Sequence, residues 1–186
     1  MNAAAVVAIA IPALIVIWWL TTFNRLVRLK NHLKESWSDV DVELKRRHEL
    51  IPNLVATVKG YAAHESAVFE RVTELRARAM VPHAATSERA ADESALGRAL
   101  QQVFAVAEGY PRLKSDVHFL ALQKELSLTE DRIAAARRFF NGNVREMRSL
   151  CEMFPSSFIA SSGDFEAPEF FELDSAAERS VPRVEV

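Results

Sequence analysis

Apolar and polar positions divide this chain at Arg25. Upstream, Ala3 to Leu20 reads AAAVVAIAIPALIVIWWL without a charged side chain. Eighteen helical residues give about 27 Å, and Thr21 to Phe23 extend this to about 31 Å, the hydrocarbon thickness of a bilayer. Trp18 and Trp19 fall where an aromatic belt meets the headgroups, and Pro12 need only bend such a helix. A cleaved signal would need a basic leader and a small-x-small site; WWLTTFNRL offers no such site. The pattern therefore predicts a retained transmembrane signal anchor over residues 1–23. Arg25, Arg28, Lys30 and Lys34 all precede the first acid, Glu35. By the positive-inside rule this flank is cytoplasmic, giving a single-pass protein with its N-terminus outside.

Downstream, the period changes to that of packed helices. Leu26, Leu33, Trp37, Val40, Leu44 and Ile51 form a seam alternating by threes and fours, which Lys30 and Arg47 interrupt. The same register passes Pro52 through Val55, Val58, Ala62, Glu65, Phe69 and Val72. This predicts a helix kinked at Pro52 and continuing to about Leu75, although a break at the proline is the competing outcome. Thr86 or Ser87 is placed to cap a second helix, which carries Leu96, Leu100 and Val103 and stops at Gly109.

A third helix is expected from Asp116 to Phe154, capped by Ser115 and ended by Pro155. Phe119, Leu126, Ile133, Phe140, Met147 and Phe154 recur every seven residues along it. The companion positions include three polar residues in succession: Gln123, Glu130 and Arg137. Glu130 and Arg137 lie too far apart to pair directly, so each would seek a partner on a neighbouring helix. Lys30, Arg47 and Glu65, which interrupt the facing seam, are the candidates. Residues 156–172 hold Phe158, Ile159, Phe165, Phe170 and Phe171 without clean period, and read as an irregular aromatic strap. The expected fold is all-α, an elongated antiparallel bundle of three to four long helices over residues 24–172. Residues 173–186 read as a disordered tail.

Composition narrows the chemistry. The 186 residues carry a formal charge of −2, which argues against a nucleic-acid binder. A single cysteine excludes an internal disulfide and any all-cysteine zinc site. None of the five glycines opens a P-loop, and no GxGxxG or GxSxG occurs. His64-Glu65 lacks the second histidine of a zinc-peptidase helix, and no histidine follows the Glu-x-x-His spacing of a di-iron bundle. No catalytic residue, metal or cofactor is therefore expected. Lys45-Arg46-Arg47-His48 spreads around a helix and reads first as a solvated run beside Asp41, Glu43 and Glu49. His48 and His64 read as satisfied structural residues. The polar layer of Gln123, Glu130, Arg137 and Glu65 reads first as a register-fixing device, and second as a ligand site.

The stretch from Glu35 to Glu65, ESWSDVDVELKRRHELIPNLVATVKGYAAHE, resembles the LemA family of bacterial membrane proteins. So do AEGYPRLK at Ala107 to Lys114, LSLTEDRIAAARRFFN at Leu126 to Asn141, and Phe154-Pro155-Ser156 with the aromatics after it. The resemblance implies a membrane helix, an all-α bundle in the cytoplasm and no assigned activity. It marks Trp37, Asp39, Asp41, Lys45, Arg46, Arg47, His48, Asn53, Lys59, Tyr61 and His64 as motif positions. Tyr110, Pro111, Lys114 and Asn141 belong to the later motifs. Phe140 stands where the family more often has tyrosine.

The expected function is a scaffold or adaptor in the bacterial inner membrane that binds protein partners. The alternative is a ligand-binding or enzymatic bundle with a Glu/Arg/His interior. A homo-oligomer built through the heptad stripe is a third reading.

Overall fold

A computed structural model describes residues 3–173; of the expected tail over 173–186, Leu173 is described and accepts a hydrogen bond from Arg137, and the rest lies outside the described residues. The fold is all-α, with six helices and no strand among the described residues. These are α1 (Ala3–Lys59), α2 (Ser66–Ala79), α3 (Thr86–Glu108), α4 (Pro111–Lys114), α5 (Val117–Glu152) and α6 (Ser156–Ser162). The first part of α1 leaves its apolar side chains uncovered: Ile9, Leu14 and Ile17 are 72, 65 and 57% exposed. A core helix of a water-soluble domain would have buried them. This segment is long and apolar enough to cross a membrane.

Pro52 lies inside α1, and the helix passes through it. The expected continuation to Leu75 does not occur. After Lys59 the backbone turns, with the Tyr61 and Ala62 amides donating to the Val58 carbonyl at 3.0 and 2.9 Å. Reversal places Ala62, Phe69, Val72 and Leu75 in one core with Ile51, Leu54 and Val58. A continuous rod would have left that stripe facing water, and burial of roughly 1.5–3 kcal/mol per large apolar side chain favours the turn.

Two further boundaries differ from expectation by one residue. Ala85, which has no capping side chain, precedes α3. Asp116 rather than Ser115 caps α5, accepting from the Phe119 amide at 2.9 Å, while the Ser115 hydroxyl donates to the Pro111 carbonyl. The heptad stripe of α5 is buried at Phe119, Leu126, Ile133, Phe140 and Met147. Phe154 does not continue it: α5 ends at Glu152, and Phe154 is exposed. The expected irregular strap contains a short helix, α6, before it becomes extended.

Two compact units divide the chain. The first joins the residues up to Ser38 with Phe139–Pro168, and the second joins Asp39–Arg138 with the residues from Glu169 onward. In the first, Leu26, Leu29, Leu33, Val144, Met147 and Ile159 are buried. Trp37 packs on Phe140 with ring centroids 5.0 Å apart, and Asn143 donates to the Ser36 hydroxyl at 3.1 Å. The second unit holds the larger core, which α2, α3 and α4 build around the last turns of α1 and the first part of α5.

Candidate functional site

In the second unit, the seam of α1 carries Val40, Leu44, Arg47, Ile51 and Leu54 inward. Arg47 takes a position that the helical period reserves for an apolar residue, so its guanidinium is 2% exposed. It is held on two sides. Nη1 donates to both carboxylate oxygens of Glu130, at 2.9 and 3.2 Å. Nη2 donates to the Glu93 carboxylate and to the Glu93 carbonyl. Glu93 is fully buried, and the His48 ring approaches both of its oxygens through Nε2, at 3.0 and 3.2 Å. Arg76 of α2 donates to the His48 carbonyl at 2.7 Å. The buried Nε of Arg47 has no hydrogen-bond partner.

Electrostatics favours the charged forms of Arg47 and Glu93. Burial pushes the Glu93 carboxyl upward, but the hydrogen bond from His48 and the charge of Arg47 outweigh it and hold it below the ordinary glutamate range. Burial likewise acts against the Arg47 charge, and Glu130 and Glu93 reverse that effect. The result is a three-residue charge network, buried at Arg47 and Glu93 and open to solvent at Glu130, touched by an imidazole.

Beside it lies a cleft of about 530 Å³ between α3 and α5. Leu100, Phe104, Leu126, Ile133 and Ala134 provide its apolar lining. Arg98 and Gln101 border it from α3; Gln123, Glu130, Asp131, Arg137 and Arg138 border it from α5. Gly97 faces Arg47, where even an added Cβ would come no closer than 3.9 Å to Nη1. Arg137 donates to the Leu173 carbonyl at 3.1 Å, which draws the strap to one end of the cleft.

The sequence candidates separate against this geometry. Gln123, Glu130 and Arg137 meet along the cleft, and Arg47 is the partner of Glu130 on the facing seam. Glu65 does not join them; it precedes α2 on the surface. The basic run is not wholly solvated as expected. Lys45 and Arg46 are exposed, whereas Arg47 and His48 turn inward because their side chains point toward the seam. Asp41 binds Lys45 at 2.6 Å and also Arg89 of α3. Burial raises its carboxyl, but the hydrogen bonds from Lys45 and Arg89 prevail and lower it.

Asp39, Asn53, Lys59 and His64 are exposed. The Tyr61 hydroxyl donates to Asp116 at 2.9 Å, tying the α1–α2 turn to the start of α5. Tyr110 precedes α4, Pro111 opens it, and Lys114 ends it on the surface. Trp18, Trp19, Arg25, Arg28, Lys30, Lys34, Trp37 and Asn141 belong to the first unit. Among the described residues, no group of three or more His, Cys, Asp and Glu side chains is arranged to hold a metal ion.

Glu93 is the buried member of this cluster that sequence reasoning missed. Its signal was position: it lies one turn before Leu96 and two before Leu100, on the buried stripe of α3.

Residues 36–186 match the LemA family pattern. Among curated relatives, the magnetosome protein MamQ of Magnetospirillum gryphiswaldense is 22% identical, over 93% of this chain and 74% of its own length. Magnetosome protein MamQ 2 of Paramagnetospirillum magneticum is also 22% identical, covering 87% of this chain and 69% of its own. Protein LemA of Metamycoplasma hominis is 25% identical, over 81% of this chain and 72% of its own. The family match covers most of the chain, and an apolar N-terminal helix precedes it: this membrane-associated helical protein belongs to the LemA family.

Proposed function

We propose that this protein is a membrane-anchored adaptor of the bacterial inner membrane. Its N-terminus faces outward, and its helical body binds a protein partner in the cytoplasm. The observation that carries this reading is the cleft between α3 and α5. It combines an apolar lining with a rim of both charge signs, which suits an amphipathic segment of another protein. The buried Arg47–Glu93–Glu130 network serves as its rigid support, fixing α1, α3 and α5 in register.

A photo-crosslinker at Gln101 or at Gln123, in intact membranes, tests the proposal. Both positions are exposed on the rim. Discrete protein adducts are expected from these two positions and not from Arg71 or Glu74, exposed on α2. The same adducts from all four positions would sink the proposal.

The cleft volume also favours a second reading. About 530 Å³ falls within the range of small-molecule sites. A ligand with an anionic group would meet Arg98 and Arg138 on opposite rims. In that case, the rim positions would give no protein adduct. A crosslink to a second copy of the chain would instead support the oligomeric reading.

A further inference from the structure

The turn between α5 and α6 carries an uncovered apolar tip. Met153, Phe154 and Phe158 are 60, 79 and 66% exposed, although each is large and apolar. The Phe154 and Phe158 rings meet edge-on, with centroids 6.0 Å apart. Residues 153–163, eleven in succession, include no charged side chain; Glu152 and Asp164 close the stretch at either end. Its serines hide part of their polarity. Ser156 donates to the Met153 carbonyl and Ser162 to the Ile159 carbonyl, each at 2.9 Å.

The depth of this tip follows from contacts within the first unit. α5 runs antiparallel to α1: Phe140 meets Trp37, Asn143 meets Ser36, and Glu146 accepts from Arg25 at 2.9 Å. From Glu146, six more residues carry α5 to its end at Glu152, about 9 Å further. The shorter-reaching contacts, Phe140 with Trp37 and Asn143 with Ser36 and the His32 carbonyl, set that end level with about residues 23–27 of α1. Beyond α6, Phe165 packs edge-on against Phe23 at 5.5 Å, and Lys30 Nζ lies over the Phe165 ring, 5.7 Å from its centre. Gly163 permits that return, since a Cβ there would fall 2.4 Å from the Phe165 ring. Met153 and Phe154 therefore come level with the stretch from Thr21 to Arg25, about one helical turn from Trp18 and Trp19, where the apolar part of α1 gives way to its basic flank.

We infer that the α5–α6 turn is a second membrane-contact site, with Met153, Phe154 and Phe158 inserted in the interfacial region beside the Thr21–Arg25 end of the apolar segment. This rests on the reading of residues 3–23 as a membrane span. The occupant is lipid because the tip continues the apolar surface of that span and has no charge with which to select a protein. Exposed aromatic side chains at this depth match the chemistry of a bilayer interface. The turn then fixes the first unit to the bilayer at two points.

Depth-dependent fluorescence quenching tests the inference. The full chain is reconstituted in phosphatidylcholine–phosphatidylglycerol vesicles whose acyl chains are brominated near the headgroup. One variant keeps only Trp19, through Trp18→Phe and Trp37→Phe. A second has Trp18→Phe, Trp19→Phe, Trp37→Phe and Phe158→Trp. A third replaces Phe158→Trp with Leu120→Trp, in the other unit. The inference expects the reporter at 158 to lose intensity to an extent comparable with Trp19, with the reporter at 120 unquenched. Quenching at Trp19 without quenching at 158 overturns it. Absence of quenching at Trp19 instead overturns the membrane span on which it rests, and equal quenching at 158 and 120 removes its specificity.

Discussion

Replacing Arg47 with methionine destabilises the second unit by about 3 kcal/mol, because the buried Glu93 carboxylate loses the guanidinium and keeps only the His48 ring as a partner. Glu93 is fully buried, whereas Glu130 is half-exposed and can return to water. Urea unfolding of the detergent-solubilised protein, with hydrogen exchange read over α3, measures the loss. The double variant Arg47→Met/Glu93→Leu recovers part of it, since removing both charges removes the desolvation penalty of the survivor. A single Arg47→Met variant within about 1 kcal/mol of the parent would mean that water reaches Glu93.

The same carboxylate sets an acid limit. The Glu93 pKa is lower folded than the unfolded value of about 4.3. Its contribution is therefore fully present above the unfolded pKa and is lost as pH falls through the lower folded one. Asp41 acts in the same direction, with burial opposed by Lys45 and Arg89. Stability attributable to these groups stays flat from pH 7 to about 5 and declines below about 4. Glu93→Gln flattens that decline while lowering the plateau.

The legibility of this network in the sequence was uneven, for physical reasons. Arg47 interrupts an otherwise apolar seam, and that conflict between period and polarity marks a buried charge whose partner, Glu130, stands in a polar row of α5 with Gln123 and Arg137. Glu93 produces the same conflict on α3, but it lies near the start of the helix. Glu88, Arg89 and Asp92 surround it in sequence, so it reads as one more charge on a solvated face, which masks the signal. His48 was hidden differently: its neighbours Lys45 and Arg46 are solvated, and one residue of helical rotation separates them from the interior. The turn after Lys59 was misread because the heptad register survives it. A register states which residues become buried; it does not state whether they do so on one rod or on two. Phe154 illustrates the converse. It satisfies the seven-residue spacing of α5 and yet faces outward, because the helix stops two residues earlier.

The long apolar N-terminal helix was readable because its argument needs only length and the absence of charge, and its proposed role as the membrane anchor yields the largest expected change in behaviour. Nine residues, Val6, Val7, Ile9, Ile11, Leu14, Ile15, Val16, Ile17 and Leu20, contribute about −0.3 to −0.6 kcal/mol each to insertion. Their sum, roughly −3 to −5 kcal/mol, is comparable with the cost of one central arginine, about 2.5–3.5 kcal/mol. Leu14→Arg therefore brings insertion close to balance, and Ile11→Arg/Leu14→Arg reverses its sign. Both positions are exposed along α1, so neither change disturbs a packed core. The fraction retained in membranes after an alkaline carbonate wash should fall partially for the single variant and almost completely for the double. The tip at Phe154 and Phe158 cannot compensate, because interfacial contacts of this size are reversible whereas a spanning helix is effectively not. Full retention of the double variant would show that residues 3–23 do not carry the attachment.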